Sequence, residues 1–80
     1  MTAIQVQYFA ILREQAHRAE ESLETRSGTA AELYEELKVR HGFRLAREQL
    51  RVAVNGAFAP WSHVLASGDR VVFIPPVAGG

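Results

Sequence analysis

The sequence contains no cysteine. That excludes disulfides, a thiolate nucleophile and cysteine-ligated zinc together, and it fits a reducing, cytoplasmic setting. Charge of one sign is also lacking. Nine basic residues face nine acidic ones, so no general attraction to nucleic acid or to an anionic membrane is expected. No apolar run approaches the ~20 residues that a membrane-spanning helix needs. The opening MTAIQVQYFA has neither the basic flank nor the long apolar stretch of a signal peptide. His17, His41 and His63 have no mutual spacing that suits a metal site, so no bound metal is expected. No set of acid, base and nucleophile stands out, and the chain is not expected to be an enzyme by itself. With 80 residues it reads as one domain, 1–80. A domain of that size has a thin core, to which a partner can add further burial.

Local patterns outline the architecture. Ile4, Val6 and Tyr8 alternate with Gln5 and Gln7, the period of a strand with one buried face. Ala10–His17 carries good helix formers and predicts a short helix or turn. Glu21–Thr25 reads as a second strand anchored by Leu23, with Glu20 and Glu21 as a solvated surface pair. Thr29-Ala30-Ala31-Glu32 is a capping box. Ala30, Leu33, Tyr34 and Leu37 then share one helical face, Glu36 and Arg40 stand four apart, and Gly42 supplies the left-handed stop. The main helix is therefore expected over 30–41. Phe43–Gln49 reads as a connection. Leu50–Val54 alternates again, Asn55-Gly56 marks a tight hairpin, and Ala57–Ala59 pairs back before Pro60. Trp61 is expected to pack as a cap on the sheet edge. Ser67-Gly68-Asp69 is a turn leading to the last strand, Arg70–Ile74.

That order predicts an α+β fold with a mixed sheet of four or five strands and one main helix across one face. The β-grasp (ubiquitin-like) arrangement is the simplest solution. In it the last strand lies parallel to the first at the sheet centre.

The end of the chain is chemically suggestive. Pro75-Pro76 cannot donate ladder hydrogen bonds and favour an extended path away from the sheet. Val77, Ala78, Gly79 and Gly80 come next, and two residues without Cβ let a chain thread a narrow channel. Residues 75–80 are thus expected to form a protruding tail. Its carboxylate can be offered to the α-phosphate of ATP in another protein's pocket, and a thiocarboxylate made there can deliver sulfur without any cysteine in the carrier.

The chain resembles the small subunit of molybdopterin synthase from end to end. VQYFAILRE (6–14) is similar to that family's first strand and turn, AVNGAF (53–58) to its central hairpin, and SGDRVVFIPPVAGG (67–80) to its closing strand and tail. Residues 18–49 match mainly in pattern, and 60–66 lack the acidic residue often found before the final turn. The resemblance implies a sulfur carrier of molybdenum cofactor biosynthesis. In it Gly80 is adenylated by a ubiquitin-activating-type adenylyltransferase that uses ATP, and is converted to a thiocarboxylate. It then gives sulfur to cyclic pyranopterin monophosphate inside the large subunit, in a heterotetramer. Gly80 would bear the sulfur, Gly79 would be its threading neighbour, and no cofactor would be held permanently. A carrier for thiazole synthesis and a ubiquitin-like protein modifier share the glycine-ended tail and remain as alternatives.

Strand periodicity adds one surface. If Ile4, Val6 and Tyr8 face the helix, Phe9 faces away from it. Val72 and Ile74 oppose Val71 and Phe73 in the same way. Phe9, Ile74 and the nearby Phe58 are therefore expected on the open sheet face, as the apolar centre of a partner interface.

Overall fold

The computed structural model describes residues 1–76. Its elements are β1 (Thr2–Tyr8), α1 (Ala10–Ala16), β2 (Glu20–Thr25), α2 (Ala30–His41), a short 3-10 turn (Arg47–Gln49), β3 (Arg51–Val54), β4 (Ala57–Ala59) and β5 (Arg70–Ile74). The five strands form one sheet in the order β2-β1-β5-β3-β4. β5 runs parallel to β1, with Tyr8 level with Phe73, and antiparallel to β3, with Arg51 level with Ile74. Helix α2 covers one face. This is the β-grasp arrangement that the sequence pattern predicts, with the last strand at the centre.

The local signals act as their chemistry requires. The Glu32 amide donates to the Thr29 hydroxyl at 3.2 Å, and the Thr29 and Gly28 amides donate back to the Glu32 carboxylate at 3.1 and 2.8 Å. Gly42 ends α2 in the left-handed region, at φ 73, with its amide on the Lys38 carbonyl. Asn55 and Gly56 adopt φ 53 and 88. The Asn55 side chain also acts at long range. Its amide group donates to Asp69 at 2.9 Å and its oxygen accepts from the Arg70 amide at 3.0 Å, tying the hairpin turn to the turn before β5.

The core lies between α2 and the sheet. Leu33, Tyr34 and Leu37 of α2 pack with Ile4, Val6 and Tyr8 of β1, Val52 and Val54 of β3, and Val71 and Phe73 of β5. The Tyr34 ring meets the Phe73 ring edge-on at 5.2 Å. Trp61 departs from its expected place. It does not cap a sheet edge but stacks on Phe73 of the central strand, at 6.0 Å, and lies 5.9 Å from Tyr34. The reason is the path of residues 60–65, which fold back along the start of α2. There the carbonyls of Trp61 and His63 accept from the Ala31 and Ala30 amides, and Thr29 bridges to Val64.

Candidate functional site

The pole where β5 ends is built by elements that converge from the whole chain. β1 and β5 run parallel, so Tyr8 and Ile74 finish at the same end. β2 begins there, α2 ends there, and the segment 43–50 crosses it before β3 starts at Arg51. Pro75 is still buried and Pro76 is exposed, so the chain leaves the sheet between them. Gln49, Arg51, Phe58, Ile74, Pro75 and Pro76 line a groove at this point. Val77, Ala78, Gly79 and Gly80, the residues to which the sequence assigns the chemistry, lie outside the described residues.

The open face carries the expected apolar residues. Phe58 is 67% exposed and Phe9 44%, while Ile74 is half-buried. The register places Ala53 level with both Val72 and Phe58, so an apolar row crosses β5, β3 and β4 on the face away from α2. Phe58 and Ile74 share the groove at the tail root. Phe9 is not part of that groove. It follows Tyr8 in extended conformation and caps the start of α1, one residue past the Tyr8–Phe73 pair on the β1 side. Ile11 of α1 is exposed beside it in sequence, a residue that strand periodicity does not single out.

A polar cluster braces the same pole, and it corrects the reading of Glu20 and Glu21 as a solvated pair. Glu20 is exposed, but the Glu21 side chain is 9% exposed. Its Oε1 accepts from the Tyr8 hydroxyl and from His41 Nε2, the latter at 2.7 Å, and its Oε2 accepts from Arg18 at 3.2 Å. Burial alone would raise the Glu21 pKa. The hydrogen bonds from Tyr8 and His41 outweigh it and hold the carboxyl below its usual range. Burial first, and then the hydrogen bond to Glu21, push the Tyr8 hydroxyl far up, so it stays protonated and donating. The cluster joins β1, β2 and the end of α2. Nearby the Tyr34 hydroxyl donates to the Leu45 carbonyl at 2.7 Å, and burial raises its pKa to about 12. That bond fixes segment 43–50, in which periodicity shows only a connection.

At the opposite pole, Asp69 accepts from the Ala66 amide and from Asn55 at 2.9 Å each, and from His63 at 3.4 Å. These bonds, the Ala66 amide foremost, hold its carboxyl below the ordinary value. The Ser67 hydroxyl accepts from the Ala3 amide. The arrangement fastens a turn, in keeping with the turn chemistry read from Ser67-Gly68-Asp69. Among the described residues there is no cluster of histidine and carboxylate side chains that could hold a metal ion, and no helix is long and apolar enough to cross a membrane.

Comparison with known proteins agrees with this architecture. The ThiS family matches residues 6–80. A protein of Mycobacterium tuberculosis named molybdopterin synthase sulfur carrier subunit is 37% identical over 83 residues, an alignment that covers 100% of both chains. The solved structure of a putative molybdopterin converting factor, subunit 1, from Pyrococcus furiosus is 33% identical. It superposes with a TM-score of 0.79 over 96% of this chain and 100% of its own. The small archaeal modifier protein 1 of Haloferax volcanii shares the fold, with a TM-score of 0.81 at 22% identity over 96% of this chain and 100% of its own. The family match runs from within β1 to the final glycine, and one relative aligns from end to end: the chain belongs to the ThiS family.

Proposed function

We propose that the chain is the sulfur-carrying, non-catalytic small subunit of a molybdopterin synthase. The observation that carries this reading is the placement of Pro75-Pro76-Val77-Ala78-Gly79-Gly80 directly after the central strand, in a chain 37% identical throughout to a relative named as such a carrier. A ubiquitin-activating-type enzyme uses ATP to adenylate the Gly80 carboxylate, with loss of pyrophosphate. A sulfur donor then displaces AMP to leave a thiocarboxylate. Inside the large subunit this group hands its sulfur to cyclic pyranopterin monophosphate, and water returns Gly80 to the carboxylate. Phe9, Phe58 and Ile74 form the apolar surface on which each partner docks, because the tail must be offered from the same side every time. Pro75 and Pro76 direct Val77, Ala78 and Gly79 into the partner's channel.

Intact mass provides the test. Incubation with the adenylating enzyme, ATP and a sulfur donor adds the sulfur–oxygen mass difference. The product, mixed with the large subunit, converts the cyclic pterin precursor to the dithiolene. Deleting Gly80, or adding one residue after it, abolishes transfer and leaves the fold intact. An extended chain that still transfers sulfur without being processed sinks the reading. Adducts on other proteins that survive reducing agent, with no dithiolene formed, favour a protein modifier instead. A thiazole carrier would make the same thiocarboxylate, and only the conversion of the pterin precursor separates the two.

A further inference from the structure

Two arginines of the segment 47–51 use the same device. The Arg47 guanidinium lies over the Trp61 ring at 6.0 Å, and the Arg51 guanidinium over the Phe58 ring at 5.5 Å. A guanidinium within cation–π range of a ring is restrained by it while its donors stay free for a carboxylate. In Arg47 those donors have a partner within the chain, the Glu35 carboxylate at 3.9 Å. Among the described residues Arg51 has no ion pair. It is exposed, and so is the ring beneath it. The β3–β5 register sets Arg51 level with Ile74, and it lines the groove with Phe58, Pro75 and Pro76 at the tail root. A fork of hydrogen-bond donors thus lies within cation–π range of an exposed ring, with no carboxylate partner among the described residues, at the point where the chain leaves the sheet.

We propose that Arg51, held on Phe58, is a docking residue that pairs with a carboxylate at the mouth of the channel through which the adenylating partner receives the tail. The proposal rests on the sulfur-carrier reading given above. The choice of a protein carboxylate over a nucleotide phosphate comes from reach. The four residues after Pro76 can span up to about 14 Å when extended. When the tail is threaded extended through a channel, a phosphate reacting at Gly80 lies beyond a side chain rooted beside Pro75, and the anion that meets Arg51 belongs to the channel rim. Phe58 then has two roles, as an apolar contact and as the platform that aims the arginine.

ATP–pyrophosphate exchange by the adenylating enzyme, with the full-length carrier as the varied substrate, tests this. Changing a charge at an interface rim alters encounter and salt dependence more than it alters chemistry. Arg51→Glu is expected to raise KM for the carrier about tenfold while kcat stays within about twofold. Arg51→Gln gives a smaller rise, and Arg51→Lys, which keeps charge but loses the planar fork of donors, falls between Gln and wild type. Raising salt lifts the wild-type KM toward that of Arg51→Gln, whose own KM stays nearly flat. Arg26→Glu makes the same charge change at the far pole, beyond the end of β2, and leaves KM unchanged. The idea is overturned if Arg51→Glu and Arg51→Gln keep the wild-type KM, if their loss lies in kcat alone, or if Arg26→Glu matches Arg51→Glu. Thermal melts show whether each variant is folded, and should Glu at 51 unfold the chain, Gln and Lys carry the comparison. A wild-type carrier that supports no exchange overturns the sulfur-carrier reading and this inference with it. A wild type that exchanges normally beside indifferent Arg51 variants removes only the inference.

Discussion

The two faces of the sheet are made by the same strands and differ in nearly every other respect. Ile4, Val6, Tyr8, Val52, Val54, Val71 and Phe73 point under α2 and are buried. Their neighbours Gln5, Gln7, Ala53, Val72 and Ile74 point the other way and stay half-buried, with Arg51 and Phe58 exposed beside them. The covered face is apolar across β1, β5 and β3 and turns polar only at its β2 edge, where Glu21 and Thr25 bond to their neighbours. The open face is apolar only where it approaches the tail root, and glutamines and the acidic residues Glu20 and Glu24 occupy its β1–β2 side. One period of two therefore separates the residues that hold the fold from those left on the open face, and adjacent residues in a strand are expected to fail in different ways when altered.

The largest expected effect tests the covered face. Phe73→Ala removes a ring in contact with Tyr34 and Trp61, and should cost about 3–5 kcal/mol in denaturant unfolding. Partner binding should suffer only through lost folded protein. The next sharpens the contrast from the open side. Phe9→Ala and Phe58→Ala should each weaken association with the large subunit by about 2 kcal/mol in titration calorimetry, and change unfolding stability by roughly 0.5 kcal/mol or less. If Phe9→Ala unfolds the chain and spares binding, Phe9 belongs to the core and not to the interface.

Glu21 sits on the covered face at its β2 edge. Glu21→Gln keeps the shape but loses a charged acceptor for Tyr8 and His41, and should cost about 1–2 kcal/mol at neutral pH. The pH dependence has a definite sign. A carboxyl with a lowered folded pKa stabilises the fold above its unfolded value, 4.5 for Glu21 and 3.8 for Asp69, and that stability is lost as pH falls through the lowered folded value. The wild type should weaken on acidification below those values, and Glu21→Gln should show a shallower acid limb in the same melts. The smallest effect lies away from both faces. Thr29→Ala opens the capping box and should cost about 1 kcal/mol, visible in thermal melts with partner affinity unchanged.

The features legible in the sequence are those set by near neighbours. The capping box spans four residues, the Asn55-Gly56 turn two, and the strand faces emerge from alternation alone. The apolar residues of the open face are readable for the same reason. The bracing of the tail pole is not. Glu21 takes its character from Tyr8, on the neighbouring strand, and from His41, at the far end of α2. A carboxylate in a charged run carries no local mark of such burial. Trp61 reads as an edge residue because nothing in residues 60–66 tells that their backbone joins the first turn of α2. Arg51 is an ordinary strand arginine until the register sets it beside Ile74.

The parallel pairing of β1 with β5 has a consequence for when the chain becomes usable. These two strands are the first and last described, so their contact closes a loop through nearly all the elements between them. Such distant contacts form late, after the entropy of ordering the intervening chain has been overcome. β5 completes its two ladders only when both β1 and β3 flank it. A chain in which β5 has not yet paired therefore has no aligned Phe58, Ile74 and Arg51. The fold thus brings these three residues together only once its last strand has joined the sheet.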